Sequence, residues 1–145
     1  MSFLTSLQIS ASGLSAQRLR INLISNNLAN INTTRTPEGG PYQIKEPIFA
    51  ATPIQSNFQD ELDAHMENNL SEVSIVDIVR DTRPPLLEYD PNHPDANQEG
   101  YVAKPNINIM EEMVNLMEAS RSYEANVKSA NASKNMILKA LEIGK

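Results

Sequence analysis

The stretch "SGLSAQRLRINLISNNLANINT" (Ser12–Thr33) joins a helical apolar pattern to an unusual cluster of asparagines. A leucine or isoleucine recurs every seven residues along this stretch and just before it, at Leu7, Leu14, Ile21 and Leu28. This spacing is typical of a helix that packs along another helix. Asparagine is a mediocre helix former because its amide competes for nearby backbone groups, yet four occur within nine residues: Asn22, Asn26, Asn27 and Asn30. We therefore expect groups outside this stretch to hold these amides.

The spacing of the asparagines allows two interpretations. Asn22, Asn26 and Asn30 are four residues apart, so in a helix they lie on one face beside the leucine series. Amides at a packed helix interface can fix the register of the pairing. Alternatively, Asn30 and Asn32 end the helix and the other asparagines face solvent.

The C-terminal segment repeats the seven-residue pattern. Its apolar series consists of Ile109, Leu116, Tyr123, Ala130 and Ile137, with Met113, Val127 and Leu141 on adjoining positions. A helix over residues 106–142 would be about 55 Å long, whereas a compact sphere formed by a chain of this length has a diameter of about 38 Å. We therefore predict a mainly α fold, in which long N- and C-terminal helices pair as an elongated coiled coil and assemble with other molecules. The alternative is a compact helix bundle.

Proline and charge divide the chain into three segments. All nine prolines lie between Pro37 and Pro105, where thirteen acidic residues outnumber four basic ones. We predict an N-terminal helix of the coiled-coil core in residues 1–36, an acidic middle segment of short strands and loops in 37–105, and a C-terminal helix of the same core in 106–145. Residues 39–51 are expected to open with a turn and continue as a strand or extended loop, and 71–81 are expected to form a strand. Residues 58–70 indicate either a short amphipathic helix or an acidic insertion.

The composition argues against several functional classes. Nucleic-acid binding is disfavoured because the middle segment is acidic and residues 1–36 supply only three arginines. The absence of cysteine excludes thiolate nucleophiles and zinc–thiolate sites. Neither a phosphate-binding glycine loop nor a glycine-flanked serine occurs, so we predict no catalytic residue, no cofactor and no small-molecule substrate. No apolar run is long enough to span a membrane, and the N-terminus does not resemble a cleavable signal peptide.

One stretch carries several potential metal ligands. These are Asp90, His93, Asp95 and Glu99, within "YDPNHPDANQEGYV" (89–102). The stretch does not fit an EF-hand loop, because Asp95 occupies the sixth position from Asp90, where such a loop requires glycine. Two prolines favour a rigid turn. We therefore predict a turn, with metal binding as the alternative.

Three longer stretches carry a family resemblance. They are "SASGLSAQRLRINLISNNLANINTTRTPEGGPY" (10–42), "YDPNHPDANQEGYVAKPNINIMEEMVNLMEASRSYEANV" (89–127) and "MILKALEIGK" (136–145). Together they resemble the bacterial flagellar rod and hook family, and most closely its short proximal-rod members. This resemblance implies a non-enzymatic axial subunit, exported by the flagellar type III apparatus without signal cleavage. It implies assembly with copies of itself, with other rod proteins and with basal-body ring and adaptor proteins, into a tube that transmits torque across the periplasm around the export channel.

The resemblance also indicates which residues form the assembly interface. The positions that match the family motifs are Ser12, Gly13, Leu14, Asn26, Asn27, Ala29 and Asn30 in the first segment, and Asn106, Glu111, Glu112, Met113, Arg121, Tyr123, Glu124, Ala125 and Asn126 in the last. Combined with the apolar series, the expected interface comprises Leu7, Ser12, Gly13, Leu14, Ile21, Asn26, Asn27, Leu28, Ala29, Asn30, Ile109, Met113, Leu116, Arg121, Tyr123, Asn126, Val127, Ile137 and Leu141. A peripheral membrane protein anchored by its acid-free N-terminal helix remains an alternative.

Overall fold

The computed structural model describes residues 3–54 and 70–143. In chain order the elements are helix α1 (Phe3–Ala29), strands β1 (Lys45–Pro53), β2 (Ser71–Arg80), β3 (Leu86–Tyr89) and β4 (Tyr101–Lys104), and helix α2 (Ile109–Ile143). β1 pairs with β2 and β3 pairs with β4, in two separate two-stranded sheets. The predicted order of a long helix, a small strand-containing middle segment and a second long helix is confirmed.

The middle segment contains the two strands that the sequence indicated and two, β3 and β4, that were not predicted. β2 confirms the strand predicted over 71–81. The segment 39–51 opens with a turn, as expected, in which Gly39 and Gly40 adopt φ values of 94° and 73°, and continues as β1 from Lys45. These left-handed conformations form a turn, in which the Thr36 N–H donates to the Gly40 carbonyl at 2.9 Å. The helix or insertion expected at 58–70 falls, except for Leu70, outside the described residues.

Asparagines mark the end of α1 and the start of α2. The Asn30 backbone N–H and side-chain Nδ2 both donate to the Asn26 carbonyl, at 3.1 and 2.8 Å, and the Thr33 N–H returns to the Asn30 carbonyl. Asn30 therefore closes the last turn of α1, as the second interpretation of the asparagines expected. Asn22 and Asn26 are exposed, but Asn27 is buried, which that interpretation did not expect. At the other helix, Asn108 Oδ1 accepts from the Met110 N–H at 3.1 Å and satisfies one of the free donors of the first turn.

Strands β3 and β4 form an antiparallel hairpin. Leu86 pairs with Lys104 and Tyr89 with Tyr101, whose rings meet edge to face with centroids 5.3 Å apart. Gly100 has a φ of 82°, and a Cβ at this position would lie 2.9 Å from Tyr89 Cε2. Glycine is therefore required here both by the backbone conformation and by the close tyrosine ring.

The chain forms two compact units. The described residues of 1–18, 48–77 and 120–145 form unit 1, and those of 19–47 and 78–119 form unit 2. Buried apolar side chains are distributed unequally: unit 2 holds Leu23, Ile24, Ile44, Val102, Ile107 and Ala119, whereas Ala16 is the buried apolar residue of unit 1 within the described ranges. Within residues 3–54 and 70–143, neither helix combines the length and apolarity needed to cross a membrane.

Candidate assembly interface

Asn27 is a buried asparagine in unit 2 that makes hydrogen bonds to several parts of the chain. Its side chain is only 1% exposed. Nδ2 donates to Glu112 Oε2 at 3.1 Å and to the Lys45 carbonyl at 3.2 Å. Oδ1 accepts from the Tyr42 hydroxyl at 2.9 Å and from the Lys45 N–H at 3.0 Å. An amide side chain has two donor hydrogens and two acceptor lone pairs, so Asn27 uses its full capacity to join α1, β1 and α2 within one chain.

The groups around Asn27 form a buried polar cluster. Glu112 is only 6% exposed, and its carboxylate lies in the first turn of α2, where the helix dipole favours a negative charge. Burial raises the pKa of Tyr42, and the nearby Glu112 charge raises it further. The Tyr42 hydroxyl therefore stays protonated and keeps donating to Asn27 at physiological pH. Because the amide of Asn27 is saturated inside the chain, its position is that of an intrachain structural residue.

In unit 1 the two helices meet through small residues. Ser6 Oγ and Ser133 Oγ are 3.0 Å apart, and Ser10 Oγ lies 3.5 Å from Ser129 Oγ. Ser10 and Ser133 are both buried. A Cβ placed on Gly13 would lie 2.9 Å from the Asn126 side-chain nitrogen, so the absence of a side chain at Gly13 makes room for that amide. Small residues let two helix backbones approach more closely than leucines would.

Hydrogen bonds in unit 1 also connect α1 with strand β2. Ser12 Oγ donates to the Ile9 carbonyl at 2.8 Å and accepts from the Val73 N–H at 3.1 Å. Gln8 Nε2 donates to Glu72 Oε2 at 3.0 Å. Ser12 thus accepts a hydrogen bond from a strand N–H, which gives it a structural role within the chain.

The structure divides the residues expected at the interface into three groups. Asn27 is buried. The partly buried group consists of Leu7, Ser12, Gly13, Leu14, Ile21, Leu28, Asn30, Leu116, Tyr123, Asn126, Val127 and Ile137. The exposed group consists of Asn26, Ala29, Ile109, Met113, Arg121 and Leu141. These side-chain contacts between α1 and α2 involve serine, glycine, asparagine and glutamate residues, which do not belong to the predicted leucine series.

An apolar stripe runs along the first turns of α2. It consists of the exposed side chains of Ile109, Met110, Met113, Val114 and Met117. Their spacing of three and four residues places them on one side of the helix. A contiguous exposed apolar surface of this kind is uncommon on a monomeric protein and is typical of a protein interaction site.

Two ion pairs of unit 2 lie at or near the protein surface. Arg80 pairs with Glu38, and the hydrogen bond from Arg80 lowers the pKa of the Glu38 carboxyl. The Arg83 backbone N–H donates to Asp81 Oδ1 at 2.9 Å and lowers the pKa of Asp81, to which the Arg83 guanidinium also contributes. Exposed pairs of this kind contribute little stability. They help to orient the Thr36–Gly40 turn and the segment after β2.

The loop between β3 and β4 uses its polar groups to hold its own backbone. Asp90 Oδ1 accepts from the Asn92 N–H, His93 Nδ1 accepts from the Asp95 N–H, and Asn97 Oδ1 accepts from the Tyr101 N–H at 2.8 Å. The predicted turn at Asp90–Asp95 is thus present. In the part of the chain that the structure describes, no three histidine, aspartate or glutamate side chains converge so that they could hold a metal ion.

Sequence reasoning missed several residues that make hydrogen bonds within one or the other unit. In unit 1 these are Ser6, Ser10, Ser129 and Ser133, and in unit 2 they are Tyr42 and Lys45. The spacing of the serines could have indicated them, because Ser6 and Ser10 are four residues apart, as are Ser129 and Ser133. Each of these two pairs therefore lies on one face of its helix. Tyr42 and Lys45 lie outside any helix and carried no local signal.

Comparisons with known proteins agree with this architecture. The family model described as "Flagella basal body rod protein" matches residues 7–35, and the model described as "Flagellar basal body rod FlgEFG protein C-terminal" matches residues 98–143. The chain is 42% identical to the flagellar basal-body rod protein FlgC of Borreliella burgdorferi, over 99% of this chain and 98% of that protein.

Two further relatives carry the same name. The flagellar basal-body rod protein FlgC of Bacillus subtilis is 45% identical over 97% of each chain, and that of Escherichia coli O157:H7 is 37% identical over 99% of each chain. These identities extend over nearly the full length of both proteins, and the relatives are structural rod proteins rather than enzymes. This chain therefore belongs to the flagellar basal-body rod protein family and is a structural subunit of the proximal rod.

Proposed function

We propose that this subunit builds the rod through its terminal helices, by joining copies of itself and other rod proteins into a tube around the export channel. The tube transmits torque across the periplasm and contacts basal-body ring and adaptor proteins. The subunit reaches its position through the flagellar type III export apparatus, without cleavage of a signal peptide. The exposed apolar stripe on α2, from Ile109 to Met117, is the observation that supports this proposal most directly.

We further propose that α1 and α2 pair antiparallel as an elongated coiled coil. In unit 1, Ser6 lies near Ser133 and Ser10 near Ser129. In unit 2, Arg20 Nη2 lies 3.4 Å from Glu118 Oε2, and Asn27 Nδ2 donates to Glu112 Oε2. In each unit the residue number of the α2 contact falls as the residue number in α1 rises, as expected for an antiparallel pair of helices. A parallel pair would require both numbers to rise together.

The small-residue contacts leave the larger side chains of both helices available to other subunits. Leu7 and Leu14 on α1, and Ile137 on α2, are only partly buried, and the stripe residues are exposed. Covering a fully exposed methionine, leucine or isoleucine contributes about 1.5–3 kcal/mol. Burial between subunits would therefore favour assembly over the dilute chain.

Substitution at Met113 tests the stripe. Met113→Gln keeps nearly the same size and shape but adds an amide, whereas Met113→Leu keeps the apolar character. We expect the glutamine variant to be lost from isolated basal bodies and its cells to be non-motile, since burying an unpaired amide costs about 1–3 kcal/mol in each copy. The leucine variant should support swimming, because an apolar exchange of similar volume is well tolerated.

Folding must be measured for both variants, by circular dichroism of the purified full-length chain. Met113 is exposed, so neither change should alter the helix content of the isolated subunit. Normal rods and motility with Met113→Gln would contradict the assignment of the stripe to a subunit interface.

The partly buried series is tested separately. Leu14→Asp or Ile137→Asp should block rod assembly, because an unpaired carboxylate on a packed helix face is strongly unfavourable. Normal swimming by either variant would exclude its residue from the assembly interface. Binding of the isolated chain to anionic vesicles in a flotation assay, together with wild-type motility of these variants, would instead favour the membrane-surface alternative.

A further inference from the structure

Methionine is concentrated on the exposed stripe of α2. The chain contains six methionines, and three of them, Met110, Met113 and Met117, lie within eight residues on this stripe. Their exposed fractions in the isolated chain are 71%, 47% and 54%, respectively. Three methionine side chains are thus exposed on the same surface that the subunit is proposed to bury on assembly.

The thioether of methionine is the group in this surface most easily oxidised. Its sulfur attacks the terminal oxygen of a hydroperoxide, the O–O bond breaks, and the sulfur becomes a sulfoxide while the peroxide is reduced to water or an alcohol. The sulfur loses two electrons and the peroxide gains them, so the reaction needs no further reactant. Access to the sulfur governs where it occurs, and all three of these residues are accessible.

We propose that Met110, Met113 and Met117 form a peroxide-sensitive modification site, at which oxidation of the unassembled subunit blocks its incorporation into the rod. This inference rests on the proposed function, because the stripe must be buried between subunits for oxidation to matter. A sulfoxide converts a flexible apolar side chain into a polar one. Burying its oxygen without a donor is unfavourable, and the stripe residues around it, Ile109 and Val114, supply none.

The site is also reversible and self-limiting. Methionine sulfoxide is returned to the thioether by methionine sulfoxide reductases. Once the stripe is covered by a neighbouring subunit, the sulfurs are no longer accessible to peroxide. The vulnerable species is therefore the free subunit, and the assembled rod is protected.

The test compares the free chain with isolated basal bodies, both treated with hydrogen peroxide and analysed by peptide mass spectrometry. In the free, folded chain we expect the three methionines to oxidise at close to the rate seen after denaturation in guanidinium chloride. In basal bodies the same three should show a marked fall in oxidation rate. Slow oxidation in the free chain, or equal rates in both samples, would overturn the proposal.

A second experiment tests whether oxidation prevents the subunit from associating. Purified full-length subunit, treated with hydrogen peroxide and freed from it, is measured for self-association by sedimentation against untreated protein. The matched control replaces all three residues by leucine (Met110→Leu, Met113→Leu, Met117→Leu) and retains Met136, which is exposed in unit 1. We expect oxidation to abolish association of the wild type, and reductase to restore it. The leucine variant should associate before and after treatment.

Failure of the oxidation proposal can be distinguished from failure of the proposed subunit interface. Equal loss of association in the oxidised leucine variant would place the sensitive residue elsewhere and overturn the proposal. Undiminished association of the oxidised wild type would also overturn it. If untreated wild-type protein showed neither self-association nor protection in basal bodies, the proposed subunit interface would fail instead, whatever the oxidation rates of the free chain.

Discussion

Replacing Asn27 by alanine is the sharpest single test of how unit 2 is held together. The substitution removes the amide that joins Glu112, Tyr42 and Lys45, and it leaves an unfilled space in place of that amide. The neighbouring Asn26 offers a matched control, because its side chain is exposed and its backbone carbonyl, which accepts from Asn30, survives the same change.

The magnitude follows from the groups that lose their partners. A buried polar group left without a hydrogen bond costs about 1–3 kcal/mol, and a charged group lies at the upper end of that range. The Glu112 carboxylate is buried, whereas Tyr42 and Lys45 are only partly buried, so that water can replace part of their lost hydrogen bonding. We therefore expect a net loss of about 2.5 kcal/mol, after subtracting about 0.5 kcal/mol for the better helix propensity of alanine. That is a large part of the total stability of a small domain.

The measurement is denaturant unfolding of the full-length chain, followed by circular dichroism and by tyrosine fluorescence. Asn27→Ala should shift the midpoint strongly to lower denaturant, while Asn26→Ala should leave it unchanged or raise it slightly by helix propensity. Equal and small effects of the two substitutions would refute the reasoning, because they would show that the buried amide carries no more stability than a solvated one. A smaller slope with denaturant for Asn27→Ala would indicate that part of unit 2 is already open.

Three further predictions address other parts of the structure. Gly13→Leu should destabilise the chain by about 1–3 kcal/mol through overpacking against Asn126, and Asn126→Ala in the same chain should recover part of that loss in a double-mutant cycle. Arg83→Ala should raise the pKa of Asp81 only part of the way to its ordinary value of 3.8, because the backbone hydrogen bond at position 83 remains. Since the folded-state pKa of Asp81 is lowered, its contribution to stability is present at neutral pH and is lost as the pH falls through that pKa. Carboxyl NMR titration measures it, and a full return to 3.8 would contradict this assignment. Amide hydrogen exchange of the dilute chain should be slower in unit 2 than in unit 1, and equal protection would show that the unequal cores do not govern local stability.

The sequence predicted the elements of this fold better than the contacts between them. Proline-free segments at both ends, with apolar residues every seven positions, were sufficient to predict two long helices. The β-branched run before Pro84 was sufficient to predict β2. These features depend on local propensity and periodicity, which a single sequence displays directly. Asn30 at the end of α1 was likewise predictable as one of two stated interpretations.

The contacts were harder because they depend on partners distant in the chain. Nothing local to Asn27 indicated that Tyr42 and Lys45 would complete its hydrogen bonds. Apolar periodicity directed attention to Leu7 and Leu14, whereas the close helix contacts of unit 1 use serines and a glycine. Small residues have little hydrophobic signal, and their importance lies in the space that they leave. The family resemblance did select Gly13 and Asn27, but it gave neither residue its structural role.

Because buried side chains are distributed unequally, the two units differ in how much of their ordering entropy they offset by burial within the chain. Ordering one residue costs about 1–2 kcal/mol of backbone entropy, and the described part of unit 1 offsets this within the chain by burying one alanine and a few serine contacts. Unit 2 adds six buried apolar side chains and a saturated buried amide. Leu4, Leu138, Leu141 and Ile143 remain exposed on the helices of unit 1. We therefore expect unit 1 to depend more than unit 2 on surfaces from other molecules, since the proposed burial of these side chains by neighbouring subunits is the largest stabilising contribution still open to it. On the proposed function, such a subunit gains much of its order only on assembly, and we expect folding of unit 1 and growth of the rod to be one coupled reaction.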